Sequence, residues 1–181
     1  MKLNNYNNLL ELFFDQYEKQ DKNNIFLINL GNPKHKLSWE KTYLLVNHLS
    51  NQISKDIKLG DRCVLISENR PEWMISDLAI MLAGGISVPS YTTYTTKDYE
   101  YIIKDCEPSV LIVSNNTQFN KIKGILDYKK IKKIISFDRL ENLKFQNYLC
   151  IEDIINKKDG FENFDNEISL KRSDPACIIY T

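Results

Sequence analysis

The sequence predicts an α/β fold, a mainly parallel sheet with helices on both faces, and three observations carry that expectation. Short apolar runs alternate with amphipathic stretches along most of the chain. The runs "RCVLIS" and "SVLIVS" are apolar throughout instead of alternating, as strands buried on both faces are. The stretch "PEWMISDLAIMLAGG" is apolar nearly all round apart from Ser76 and Asp77, which suits a helix sandwiched in a core. At 181 residues the chain is expected to form one unit over 1–181 with a real core.

In chain order, the spacing of Leu9, Leu12, Phe13 and Tyr17 predicts a helix from Asn8 to Lys19. A strand, "IFLINL", follows, and a Gly31-Asn32-Pro33 turn brings the chain back through Leu37. Ser38 is placed to cap a helix that runs to about Lys55. After the turn "LGD" comes the strand "RCVLIS", and Pro71 opens the apolar helix with Glu72 in its first turn, where a negative charge suits the helix dipole. Gly84-Gly85 ends that helix. "ISVP" is the next strand, "YTTYTT" a polar loop, and Lys97 to Cys106 a helix capped by Thr95 or Thr96. "SVLIVS" and "IKKIISF" are further strands, flanking a weaker helix from Thr117 to Asp127. One strand and a short helix are expected around "YLCIEDII", and Ala176 to Tyr180 reads as a buried strand behind an Asp174-Pro175 turn.

Composition excludes several classes. Lys+Arg and Asp+Glu both number 24, so no net field draws nucleic acid or an anionic membrane. The N-terminal stretch "MKLNNYNNLLELFF" lacks the apolar core of a signal peptide, and a cytoplasmic protein is the default. Cys63, Cys106, Cys150 and Cys177 form no C-x-x-C pair and read as free, buried, reduced thiols. His35 and His48 have no second ligand at metal spacing, so no metal site is expected. The six glycines fit neither G-x-G-x-x-G nor a Walker loop, and no G-x-S-x-G elbow occurs.

In parallel sheets ligands bind beyond the carboxyl ends of the strands, so the loops after Ser67, Pro89, Ser114 and Tyr180 matter most. "SENRPEW" gathers a carboxylate, an amide and a guanidinium at a strand end; it reads either as a site or as a helix cap with Trp73 anchored in the core. "SYTTYTT" brings two rings and four Thr hydroxyls, which suit a pocket wall or an ordinary loop with an N-cap. Glu68, Glu72 and Asp77 read as helix-start and surface groups as readily as acid–base groups.

The order of motifs from about Leu37 to Asn115 resembles the N-terminal region of the acyl-adenylate-forming (AMP-binding) enzymes, and within them the bacterial long-chain fatty acyl-CoA synthetases. The matching features are Gly60-Asp61-Arg62, Glu68-Asn69-Arg70-Pro71-Glu72-Trp73, Ala83-Gly84, Val88-Pro89 with Tyr91-Thr92-Thr93, and Ile102-Ile103 with Asp105. The likeness thins from Asn116 to Arg172 and resumes at "SDPACIIYT". It implies an N-terminal portion of the AMP-binding domain, with Thr181 as the first hydroxyl of a Ser/Thr/Gly-rich loop that holds the ATP phosphates. On that footing the expectation is a truncated reading frame or fragment. The implied parent is a long-chain fatty acid–CoA ligase that uses ATP, Mg²⁺ and coenzyme A on a fatty acid substrate.

No catalytic residue of this chain is implied, Thr181 is the sole cofactor-binding position, and none of these ligands is expected to bind well to the 181 residues alone. Cytoplasmic placement is implied, with peripheral contact at the inner face of the membrane left open, as are oligomeric state and acyl-chain length. The alternatives are a self-standing α/β binding module without catalytic activity and an unrelated nucleotide-sugar enzyme. An open sheet edge beside the last strand would also make the isolated chain marginally stable and prone to aggregate.

Overall fold

Residues 6–156 and 170–181 are described by the computed structural model. The first helix, α1 (Leu9–Lys19), begins where Asn8 accepts a hydrogen bond from the Glu11 N–H. A two-stranded hairpin follows, β1 (Ile25–Ile28) paired antiparallel with β2 (Lys36–Ser38). β1 ends before the expected Leu30 because the Asn29 side chain accepts from the N–H groups of Gly31 and Asn32, which starts the turn early. Ser38 caps α2 (Trp39–Ser54), as its sequence position predicts.

The main sheet holds β3 (Arg62–Ile66), β4 (Ile86–Ser90), β5 (Val110–Val113), β6 (Lys133–Ser136) and β7 (Tyr148–Cys150). Its order is β4-β3-β5-β6-β7, and every neighbouring pair is parallel. Between the strands lie α3 (Pro71–Leu82), α4 (Thr96–Cys106) and α5 (Asn116–Ile122), and α6 (Ile151–Asn156) follows β7. The helix after β5 stops at Ile122, short of the expected Asp127, where Lys123 and then Gly124 close it with a turn from Ile125 back to Ile122.

Side-chain alternation divides the core in two. Cys63 and Leu65 of β3 face α1, α2 and α3, whereas Val64 and Ile66 face α4 and α5, and all four are fully buried. The chain leaves β3 for one face and β4 for the other, so the connections diverge at the carboxyl ends of two adjacent strands. A crevice forms there by topology alone.

Several motif residues prove to be framework. Gly60 has φ +82°, a left-handed conformation in which a side chain is strained. Asp61 accepts from the Lys58 N–H and from Ser109, and Arg62 donates to the carbonyls of Cys106 and Glu107 at the end of α4. Burial pushes the Cys63 thiol up to about 12 and the Cys106 thiol to about 11, so both stay protonated.

The segment from Ala176 to Tyr180 departs from expectation. It touches the sheet by one bridge, Ser87 to Cys177, in which Ser87 N–H donates to Ala176 and Ile178 N–H to Ser87. Cys177 and Ile179 are exposed instead of buried. The next outward-facing position on β4 is Pro89, which has no N–H to give, and the ladder goes no further. With an aromatic disulfide reagent, one thiol of the four, Cys177, is therefore expected to react fast in the native chain. Cys63, Cys106 and Cys150 should react at the rate of unfolding; two or more fast thiols would contradict this packing.

Candidate functional site

The crevice between β3 and β4 is a cleft of about 600 Å³ at the carboxyl end of the sheet. Ser67, Glu68 and Asn69 come from the loop after β3, Pro89 to Thr92 from β4 and its loop, Trp73 from α3 and Ile179 from the terminal segment. The loops singled out at 68–73 and 91–96 thus meet across one opening. Trp73, Tyr91 and Ile179 make apolar walls, and Ser67, Glu68, Asn69 and Ser90 supply polar groups.

Of the three polar groups of "ENR", Glu68 and Asn69 both line the cleft and Arg70 does not. Glu68 accepts from Gln118 Nε2 at 2.8 Å, a partner on α5 that the sequence reading missed. Burial raises the Glu68 carboxyl, but hydrogen bonds and the Arg70 charge outweigh it, and the group lies below the ordinary carboxylate range. Arg70 is turned away from the cleft. It grips Asp138 through both terminal nitrogens at 2.9 and 2.8 Å, reaches Glu72 at 3.2 and 3.3 Å, and lies 5.4 Å above the Phe137 ring. Desolvation opposes its charge, yet the two carboxylates more than compensate and its pKa rises.

Glu72, expected at the surface, is 3% exposed and ties Arg70 and, at 3.8 Å, His35 to the start of α3. A buried carboxylate is tolerated here because a guanidinium faces it. Trp73 packs against the core but stays partly exposed, where the cleft reaches it.

On the opposite wall, two of the four Thr hydroxyls, those of Thr95 and Thr96, are committed to structure. Thr95 caps α4 in a capping box with Asp98, and Thr96 Oγ1 donates to the Lys121 carbonyl. Lys121 in turn donates to the Thr92 carbonyl, and Tyr99 to that of Tyr91 at 2.7 Å. Burial, then the nearby Glu68 charge, pushes the Tyr99 phenol up to about 12.

The terminal segment is held by side chains: Tyr94 donates to the Tyr180 carbonyl at 3.0 Å, and Tyr180 donates to Asp105 at 2.6 Å. Thr181 follows, exposed. Asp77 lies outside the cleft, half-buried on α3, and burial raises its carboxyl; the Ser87 hydroxyl beside it offsets part of that cost without a well-formed hydrogen bond.

Among the described residues no cation lines the cleft, and no group of three or more His, Cys, Asp and Glu is placed to hold a metal ion. The walls suit an apolar ligand with a polar end more than a polyphosphate.

A family model described as "AMP-binding enzyme" matches residues 13–181. A long-chain-fatty-acid–CoA ligase of Rattus norvegicus is 27% identical over 158 residues, covering 82% of this chain and 22% of the relative. One from Mycobacterium tuberculosis is 35% identical over 138 residues, covering 71% of this chain and 21% of that protein. The chain therefore spans about a fifth of the length of these curated relatives.

Among solved structures, coronafacic acid ligase from Pectobacterium brasiliense superposes with a TM-score of 0.77 at 20% identity, over 97% of this chain and 33% of that one. Apo MatB from Rhodopseudomonas palustris gives 0.68 at 22% identity, over 97% and 32%. At this identity they establish the fold.

Replacing Glu72 by Ala is expected to cost about 2 kcal/mol in urea unfolding, and Asp138 by Ala, at the half-exposed end of the same network, about 1 kcal/mol. Equal effects would contradict the burial difference. Asp77→Asn removes a carboxylate whose folded pKa lies above its unfolded one. Its ionised form is penalised only in the folded state, so the variant should be more stable than the parent at neutral pH. That gain should shrink as pH falls through the folded pKa and vanish below the unfolded value of about 4. A variant no more stable at neutral pH would contradict the raised pKa.

Proposed function

The chain belongs to the AMP-binding enzyme family, and on that premise we propose that it forms the N-terminal portion of the AMP-binding domain of a long-chain fatty acid–CoA ligase. The observation that carries this is the match to long-chain-fatty-acid–CoA ligases over most of this chain but about a fifth of theirs. The parent activity is the joining of a fatty acid to coenzyme A at the expense of ATP, in two transfers. The fatty carboxylate attacks the α-phosphorus of ATP and pyrophosphate leaves. The coenzyme A thiolate then attacks the acyl carbon of the mixed anhydride and AMP leaves.

What this chain contributes is framework and an apolar wall. Trp73, Tyr91 and Ile179 line a cleft that suits an acyl chain. No step is assigned to a triphosphate or to Mg²⁺ here. Two cations on the elements flanking the cleft are spent on structure, Arg70 on Glu72 and Asp138, and Lys121 on the Thr92 carbonyl. Thr181 is the position we assign to the edge of the nucleotide loop, since a hydroxyl among small residues is a fitting phosphate donor. No helix among the described residues is long and apolar enough to cross a membrane, and the reading places the parent in the cytoplasm, at the lipid surface if its substrate is collected there.

The 181 residues alone should show no palmitate-dependent ATP–pyrophosphate exchange. A hybrid in which they replace the matching segment of the Mycobacterium tuberculosis ligase should retain it. Exchange by the chain alone, or a folded hybrid without it, would overturn the assignment.

A further inference from the structure

We propose that Trp73 sets the length of acyl chain this protein accepts, by standing between the cleft and a second apolar groove beside the β1–β2 hairpin. The proposal deepens the reading of the cleft as an acyl wall and rests on it.

Two openings meet at one side chain. The cleft of about 600 Å³ at the sheet end and a groove of about 250 Å³ along the hairpin share Asn69 and Trp73. On the groove side the apolar walls are Leu27, Ile28 and Leu30 from β1 and its turn, with Pro71 and Met74 from α3. Single exposed aliphatics are ordinary. Here Ile28, 48% exposed, and Leu30, 89% exposed, line a depression that adjoins the cleft. The charged wall residue, Arg70, is already paired with Glu72 and Asp138.

The path has an end and a direction. Past Arg70 the next pocket is polar, with Asn29, His35, Glu72, Asp138 and Glu152 on its walls, and a hydrocarbon tail gains nothing there. Glu68 lines the cleft as a carboxylate held by Gln118 at 2.8 Å. It repels a second carboxylate, so the methyl end of a fatty acid leads and the acid end stays outside.

Trp73 suits the dividing position. It lies in the first turn of α3, where its N–H donates to the Arg70 carbonyl at 3.0 Å, and Arg70 is clamped to Asp138. Its backbone is thereby fixed, its ring packs on the core while staying partly exposed, and the size of its side chain sets what passes from cleft to groove. Each methylene that leaves water tightens binding about fourfold. The chain length at which that gain stops therefore reports where the path stops.

The test is saturation-transfer NMR of the full chain with straight-chain acids from hexanoate to palmitate, kept below micelle-forming concentrations. Weak binding suffices, because the reading is the dependence on length. Affinity should rise about fourfold per methylene and level off where the tail meets the indole. In Trp73→Ala the rise should run on for about two methylenes or more, so that palmitate binds about tenfold or more tighter than to the parent. Trp73→Leu keeps an apolar side chain on the core; it should shift the plateau the same way by less, and it carries the test if the alanine variant does not fold.

Leu30→Asn alone should leave the plateau in place, and combined with either Trp73 variant it should shorten the extended plateau again. An unchanged plateau in the Trp73 variants overturns the proposal and leaves the acyl-wall reading standing. No rise with length in the parent overturns both. An extended plateau that Leu30→Asn does not shorten overturns the groove's part in it, by tracing the extra room to the space the ring vacated.

Discussion

Burial of β3 and β5 on both faces is the constraint from which the rest follows. Val64 and Ile66 pack under α4 and α5, Cys63 and Leu65 under α1, α2 and α3, and none of the four is accessible to water. A strand covered twice must send its connections alternately to the two sides, and a parallel sheet needs long crossovers to do it. The cleft exists because β3 and β4 obey this rule in opposite directions. Its position is thus set by the hydrophobic pattern of two short strands, while its chemistry is set by the loops that leave them.

Those loops show how a polar motif can serve geometry. Arg70 precedes a helix it does not cap with its side chain, and its charge is divided between Glu72, Asp138 and the face of Phe137. The effect is to clamp the start of α3 to the end of β6, two strands away. On the other side Lys121 and Tyr99 hold the 91–96 loop by its carbonyls. Both walls are tied down by contacts unrelated to any ligand, which suits a preformed opening.

Much of this was legible in the sequence. The uninterrupted apolar runs identified the buried strands, and Ser38, Thr95 and Pro71 marked helix starts because capping and φ restriction are local effects. What is not local stayed hidden. The Glu68–Gln118 and Arg70–Asp138 contacts join residues 50 and 68 positions apart, and nothing in "SENRPEW" indicates that its guanidinium faces away from its carboxylate Glu68. Glu72 looked like a dipole-compensating surface acid, and its burial depends on Arg70 and His35 closing over it.

The terminal run "ACIIY" reads as buried because composition reports hydrophobicity and cannot report whether a neighbour covers it. The family motif order was plain, whereas the site residues were not, because most motif positions proved to be structural.

Pro89 carries a consequence for the sheet's outer border. Since a single ladder rung at Ser87 holds the terminal segment, backbone pairing fixes its alignment only weakly, and the tyrosines take over that task. The ring of Tyr180 rests edge-on to Tyr101, its hydroxyl is latched to Asp105, and its carbonyl is latched to Tyr94. A shift of one residue would leave a carbonyl facing Tyr94 but would present isoleucine or threonine to Tyr101 and Asp105, so the Tyr180 side chain, and not amide pairing, sets the alignment of this segment.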